Sequence, residues 1–403
     1  MNNMIKACKG KLAFIFFLLV YCLSASEWEL PASSLLRWIS MALMLAVAGL
    51  SYLQNDENIF LCSKMYLFIV VAYTIGVFVS GENLFTGVLR AFSFFLLIIS
   101  LYMYMQRKQS KAENVMDYFN IFAYFLMILM YALTIYYIVS GGVLGEYKGI
   151  YSNKNYLVSI SCTAVCTSIY LVTNTHGIVK SLSVGSVICS VFITIATGSR
   201  AGIICMALAF LLLPFVVMEA AGVKRKFRIV VSLIAIMTVM FIIAKNSNIP
   251  ALERLLSQGD DIGSTGLSRG DTWAMAFDKF YAHPFVGWGN SAAYYYTFEK
   301  RVYGWGIHNS YLMILIDYGI IGSFLHLCFF ATIAMSNLKK YRQCSFTKKE
   351  KRFVKIVSMI CLMLMVNAIA ESFLFAVGNI ASVCFWLSLV VLDLFMMKKK
   401  EET

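Results

Sequence analysis

The run Ile380-Ala-Ser-Val-Cys-Phe-Trp-Leu-Ser-Leu-Val-Val-Leu-Asp-Leu-Phe-Met-Met397, followed at once by Lys398-Lys399-Lys400, decides the fold. It is apolar over about the twenty residues that carry an α-helix across a hydrocarbon core. The basic tail is the flank expected on the cytoplasmic side of such a helix. Outward from this run the pattern repeats towards the N-terminus. Apolar stretches lie near 12–26, 34–53, 60–80, 84–105, 117–139, 155–173, 181–198, 201–218, 227–244, 309–335 and 353–377. The expected fold is therefore all-α: a polytopic membrane protein of about twelve transmembrane helices, forming one membrane domain over residues 1–403.

Composition agrees. Of the 403 residues, 60% are hydrophobic and 14% charged, against about 25% charged in soluble proteins. A water-soluble fold would lack a polar shell. The net charge of +13 does not indicate nucleic acid, because the basic residues sit in short clusters between apolar runs. The eleven cysteines show no metal-ligand spacing, and most lie inside apolar runs, where Cys packs as a small hydrophobe.

With the N-terminus inside, alternate loops collect the basic clusters: Arg107, Lys108 and Lys111; Lys224 to Arg228; Lys339 to Lys355; and the C-terminal lysines. Outer loops carry Glu27, Glu29 and Glu82 instead. Both termini are thus expected in the cytoplasm. The loop with Asp56 and Glu57 departs from this pattern. Lys6, Lys9 and Lys11 before the first apolar run, with Ser24-Ala25-Ser26 after it, look like a signal peptide; an uncleaved helix is expected. Either reading leaves the later parity unchanged.

One connection, residues 245–307, has about sixty residues, and connections beyond about fifteen are usually functional or disordered. Parity puts it outside the membrane. It contains Trp273, Trp288, Trp305 and Tyr294-Tyr295-Tyr296, and 269–282 reads as an amphipathic helix ending before Pro284. Short helices are expected within this large external loop.

Three polar positions fall on the same outer face by parity alone. Arg200 follows Thr197-Gly198-Ser199 in a tight turn, Arg269 lies in the large loop, and His308 opens the next span. Two helix N-termini point their positive dipole ends at this zone. Arginines beside helix N-termini make a candidate phosphate or diphosphate site, and imidazole suits proton transfer near neutral pH. Against this stand plain structural roles: an interfacial Arg can anchor by snorkelling, and a loop Arg can stack on Trp. Asn309 is placed to cap the helix behind His308. Asp317 and Glu371 fall within spans, where carboxyls are costly and usually functional or paired. Asn309, Trp273, Asp317 and Glu371 join Arg200 and Arg269 as candidate substrate contacts.

Three patches carry a family resemblance: Thr197-Gly198-Ser199-Arg200-Ala201-Gly202; Arg269-Gly270-Asp271-Thr272-Trp273 with His283-Pro284-Phe285-Val286-Gly287-Trp288-Gly289; and His308-Asn309-Ser310-Tyr311-Leu312 with Asp317-Tyr318-Gly319-Ile320-Ile321-Gly322. In this order, around one large outer loop, they resemble the O-antigen ligase and polymerase family of bacterial envelope glycosyltransferases. Ser152-Asn153-Lys154-Asn155 extends the likeness, whereas the first 140 residues match only in hydropathy. Asp317 stands where the family often has Glu.

The resemblance implies an enzyme of the bacterial inner membrane that moves glycan from an undecaprenyl-diphosphate carrier to an acceptor hydroxyl on the outer face. Arg200 and Arg269 would hold the diphosphate, and His308 would act as base or orient the acceptor. The acceptor is a glycan or lipid-linked glycan; membrane lipids surround the spans, and no nucleic acid is involved. Fixed cations meeting the charge on a diphosphate leaving group make a metal unnecessary, and no cofactor is expected. Direct displacement would invert the anomeric centre. Repeat-unit polymerase is slightly favoured over ligase. The alternative is a flippase or transporter of lipid-linked sugars, which should show internal repeats and polar residues at mid-membrane.

Overall fold

The computed structural model describes residues 2–24, 33–55, 64–79, 84–106, 112–151, 153–218, 222–246, 269–290, 296–298, 301–303 and 307–402. Their helices are α1 (Asn2–Ser24), α2 (Ser33–Asn55), α3 (Tyr66–Val79), α4 (Leu84–Gln106), α5 (Ala112–Val139), α6 (Lys154–Asn174), α7 (Gly177–Ala196), α8 (Arg200–Val217), α9 (Val223–Asn246), α10 (Arg269–Ala282), α11 (Ser310–Gln343), α12 (Lys348–Asn367) and α13 (Ile380–Glu401). A short antiparallel hairpin pairs β1 (Tyr296–Phe298) with β2 (Arg301–Tyr303). Each apolar stretch read from the sequence overlaps one of these helices. Eight described helices are long and apolar enough to cross a membrane; Lys11–Ser24 and Tyr66–Val79 are apolar but shorter.

The helices form a bundle around α6 and α13. In these two, 83% and 94% of the most apolar window is buried, against 22% in α2, so α6 and α13 face protein rather than lipid. That explains how α6 carries so many hydroxyls. Ser161 lies 2.8 Å from the Thr194 hydroxyl, and Ser168 donates to Ser186 at 2.9 Å, both across to α7. Small hydroxylated residues let two backbones approach closely where no hydrophobic effect drives them together. The peripheral helices turn large apolar side chains outward, among them Leu53, Phe78 and Ile178.

Long-range bonds order the two ends of the bundle. Asn367, at the end of α12, donates to Ser159 near the start of α6 at 2.7 Å. Arg352, near the start of α12, donates to the Thr173 carbonyl at the end of α6 at 3.2 Å. α6 and α12 are therefore antiparallel. Lys340 pairs with Asp393 at 3.4 Å and Lys399 with Glu350 at 2.8 Å. The basic clusters of α11, α12 and α13 thus share one end of the bundle, and the starts of α6, α8 and α11 share the other.

Two apolar stretches are not simple helices. The stretch at 353–377 stays helical only to Asn367. Residues 368–379 run as turns and irregular backbone, with Glu371, Phe373, Leu374 and Phe375 buried. α11 breaks at Gly319, whose φ of 60° and ψ of −164° are not helical. Four backbone groups beside the break find partners in one segment. The carbonyls of Ile316 and Asp317 accept from Trp288 and Gly289 N–H, each at 2.9 Å. The N–H groups of Ile320 and Ile321 donate to Pro284 and Phe285 carbonyls at 2.8 and 3.1 Å. An unsatisfied backbone group in a membrane costs several kcal/mol, so this exchange lets a helix break inside the bundle.

Most of the large connection at 245–307 lies outside the described residues, as do the loops carrying Glu27, Glu29, Asp56, Glu57, Glu82, Arg107, Lys108 and Lys111. Within it, α10 forms where the amphipathic pattern predicts and ends before Pro284. The hairpin is an addition that sequence reading did not anticipate.

Candidate functional site

Three helix starts converge at one end of the bundle, each opened by a capping side chain. Asn153 opens α6, its side chain accepting from Asn155 N–H at 2.9 Å. Ser199 opens α8 and accepts from Gly202 N–H. Asn309 opens α11, accepting from Tyr311 and Leu312 N–H at 2.9 and 3.1 Å. Caps of this kind satisfy orphan amides and are worth about 1 kcal/mol each. They also fix where each helix begins, and so where the neighbouring polar side chains sit.

Those side chains form a continuous chain of contacts. Ser199 donates its hydroxyl to Asn155 Oδ1 at 3.0 Å. Asn155 Nδ2 donates to Glu371 Oε1. The other carboxylate oxygen, Glu371 Oε2, lies 3.3 Å from His308 Nδ1. Asn155 and Glu371 are buried, whereas the His308 side chain is 29% exposed. The chain therefore runs from a dry interior to one ring that solvent or substrate can reach.

Ser310 secures the irregular segment that carries Glu371. Its N–H donates to the Ala368 carbonyl at 2.9 Å. Its hydroxyl donates to the Glu371 carbonyl at 2.7 Å and accepts from Phe373 and Leu374 N–H at 3.1 and 3.3 Å. The residue two positions after His308 thus ties down the segment bearing its carboxylate partner. His308 itself has φ of 50°, the only positive φ at a non-glycine among the described residues. Such a conformation costs roughly 1–3 kcal/mol and persists where surrounding bonds over-determine it.

Arg200 is exposed at the first turn of α8, directly after Ser199. The turn before it needs Gly198: φ is 64°, and a Cβ there would stand 2.8 Å from the Gly145 Cα. α10 begins at Arg269, whose side chain lies outside the described residues. Trp273, one turn on, donates its indole N–H to the Ile307 carbonyl at 3.0 Å. With Ala276, Leu312, Met313 and Ile316 it docks α10 against the start of α11. Trp273 thus joins the start of α10 to the residue before His308.

Two expected substrate contacts are engaged by protein. Glu371 faces His308 and Asn155, and is not an intrahelical carboxyl. Asp317 is 1% exposed and its Oδ2 accepts from Arg90 at 3.0 Å. Arg90 escaped the sequence reading. Its signal was present, as a lone cation within the apolar run of α4, but its partner lies 227 residues away. Nearby, Lys279 on α10 stands over the Trp288 ring at 5.5 Å. Burial holds its ammonium below the ordinary lysine range, opposed by the charge of Asp317. Asn155 and Ser199 belong to the motifs of the resemblance, but neither is among the candidate site residues that the sequence yields. Among the described residues no three His, Cys, Asp or Glu side chains gather as a metal site would require.

No curated protein matches the chain. The family model described as O-antigen ligase matches residues 185–327. That segment holds Ser199, Arg200, α10, the broken part of α11 and His308, while Asn155 and Glu371 are brought to it from outside by the fold. The chain is thus a membrane protein with eight helices long and apolar enough to span a bilayer among its described residues, and its central segment is similar to the O-antigen ligase family.

Proposed function

We propose that this protein transfers a glycan from undecaprenyl diphosphate to an acceptor hydroxyl on the outer face of the bacterial inner membrane. The observation that carries the reading is the contact between His308 Nδ1 and Glu371 Oε2, at 3.3 Å, beside the helix start bearing Arg200. A carboxylate holding one imidazole nitrogen as N–H leaves the other to accept a proton. In this reading Nε2 of His308 removes the acceptor proton as the hydroxyl attacks the anomeric carbon. The bond to the diphosphate breaks on the opposite face, inverting that carbon. Arg200 and Arg269, with the positive ends of α8 and α11, meet the charge on the departing diphosphate. Glu371 orients the histidine, and Asn155 orients Glu371. No metal is needed in this scheme because the fixed cations neutralise the leaving group.

The basic clusters gathered at the far end of the bundle support a topology with that end and both termini in the cytoplasm. They support a twelve-span count with the 245–307 connection outside. A polymerase is slightly favoured over a ligase, since the two share donor chemistry and polymerases are the more numerous. The test is transfer in vitro with purified protein, a lipid-diphosphate glycan and two acceptors, a second lipid-linked repeat unit or a lipid A core. Extension of the repeat unit supports polymerase, and transfer to the core supports ligase. Movement of the lipid across vesicles without transfer to either acceptor would replace the enzyme by a flippase.

A further inference from the structure

Towards the basic end, α8, α11, α12 and α13 leave a groove of about 620 Å³. Its walls include Phe215, Phe330, Leu338, Leu362 and Phe385. Leu338 is 51% exposed, Leu362 48% and Phe215 42%, so the groove opens sideways towards lipid. Two features of the groove are polar. Asn337 lines the groove and is buried, yet its Oδ1 has no hydrogen-bond partner among the described residues. Lys355 also lines it, its ammonium donating to the Phe215 carbonyl at 3.5 Å. From Leu338, which borders both, a second hollow of about 290 Å³ is lined by Lys339, Arg342 and Gln343.

An apolar groove with cations at its basic-end mouth, and an unmet acceptor one helical turn deeper, matches one class of molecule. We infer that the groove binds an anionic glycerophospholipid of the leaflet at the basic end. The acyl chain lies along the apolar wall, the phosphate meets Lys339, Arg342 and Lys355, and a headgroup hydroxyl such as that of phosphatidylglycerol donates to Asn337. Basic pockets between membrane helices recognise anionic headgroups through this pairing of charge and hydrocarbon. The tail of a donor seated at His308 is the competing occupant. The groove is separated from that site by bonds from Tyr311 hydroxyl to the Met365 carbonyl at 2.8 Å and from Ser310 N–H to the Ala368 carbonyl. Its charged mouth is at the opposite end. The inference does not rest on the transfer reaction.

The experiment is native mass spectrometry of the full-length protein in detergent. It offers phosphatidylglycerol, phosphatidylcholine of the same chains, and undecaprenyl phosphate. Wild type should retain phosphatidylglycerol over phosphatidylcholine, with each facing cation contributing about fivefold. Lys339→Gln, Arg342→Gln and Lys355→Gln together should abolish the preference. Ala334→Phe and, separately, Ser358→Phe should lower retention with the charges intact. Both residues line the groove and are exposed, and a melting curve in lipid-free detergent identifies any variant that has lost its fold. Equal retention of the two phospholipids by wild type overturns the inference. So does displacement of phosphatidylglycerol by undecaprenyl phosphate that the groove-filling variants prevent.

Discussion

Glu371 reaches His308 across 63 residues of chain, its Oε2 lying 3.3 Å from the imidazole Nδ1. The carboxylate is buried, so its contacts decide whether it is tolerable. A buried charge stripped of its partner costs roughly 3–5 kcal/mol. Here Asn155 occupies one oxygen and His308 the other, which holds both the ring and the carboxylate in one orientation.

If His308 is the base, His308→Ala should lower the transfer rate roughly 10²–10⁴-fold while donor binding stays near wild type. Glu371→Gln should lose rate without losing donor binding, because it spoils the orientation of the ring and leaves the cations alone. Asn155→Ala should fall short of both. Steady-state kinetics with a lipid-diphosphate donor separates these effects. Wild-type turnover in Glu371→Gln would remove the carboxylate from the mechanism.

The proposed leaving-group cations, Arg200 and Arg269, should behave differently. Arg200→Ala and Arg269→Ala should weaken donor binding and turnover together, and Lys should rescue only in part, lacking the bidentate guanidinium fork. Titration of each variant with labelled donor measures this. Chelators should leave the wild type active; inhibition by EDTA that a divalent ion reverses would count against a metal-free scheme.

The seam at the break in α11 should tolerate no side chain. A Cβ on Gly287 would stand 2.6 Å from the backbone of Asp317 and Gly319, and both glycines have φ above 60° or at it. Gly287→Ala and Gly319→Ala should each destabilise by at least about 1–2 kcal/mol for the left-handed backbone alone, with the clash in addition. Thermal unfolding in detergent reads this, with Gly49→Ala as the control because its added Cβ meets open space.

At the basic end, Glu350 accepts from Thr347 N–H at 2.7 Å and from Lys399 at 2.8 Å. Burial pulls its carboxyl up, but the bonds from Lys399 and Thr347 outweigh it and leave the group below its ordinary 4.5. A carboxyl lowered by folding stabilises fully above its unfolded value and loses that contribution as pH falls through the folded one. Melting temperature should therefore decline as pH drops below about 4.5, and Glu350→Gln should flatten part of that decline. An unchanged slope in the variant would show that other carboxyls account for it.

A reporter fused after Ser345, between α11 and α12, should read cytoplasmic, and one within Gly259–Gly266 external. The reverse pair would invert the bundle and put the His308 end on the wrong face for the proposed outer-leaflet donor.

The sequence by itself determined what depends on near neighbours. Apolar runs long enough for a hydrocarbon core set the helices, amphipathic spacing set α10, and Asn309 capped α11 as its position predicted. The clustering of basic residues also foretold that α11, α12 and α13 share a charged end. Only the tertiary structure decided which distant groups meet. Hydropathy read Glu371 as a carboxyl inside a span, since it cannot see that Ser310 satisfies the backbone of an irregular stretch after Asn367. It read Asp317 as a carboxyl within a span, functional or paired, but could not name the partner, since Arg90 arrives from another helix. The motif around His283–Gly289 looked like a loop feature, yet its backbone completes the hydrogen bonding of the break at Gly319. Each of these pairings joins residues far apart in the chain, and side-chain packing, not local propensity, brings them within bonding distance.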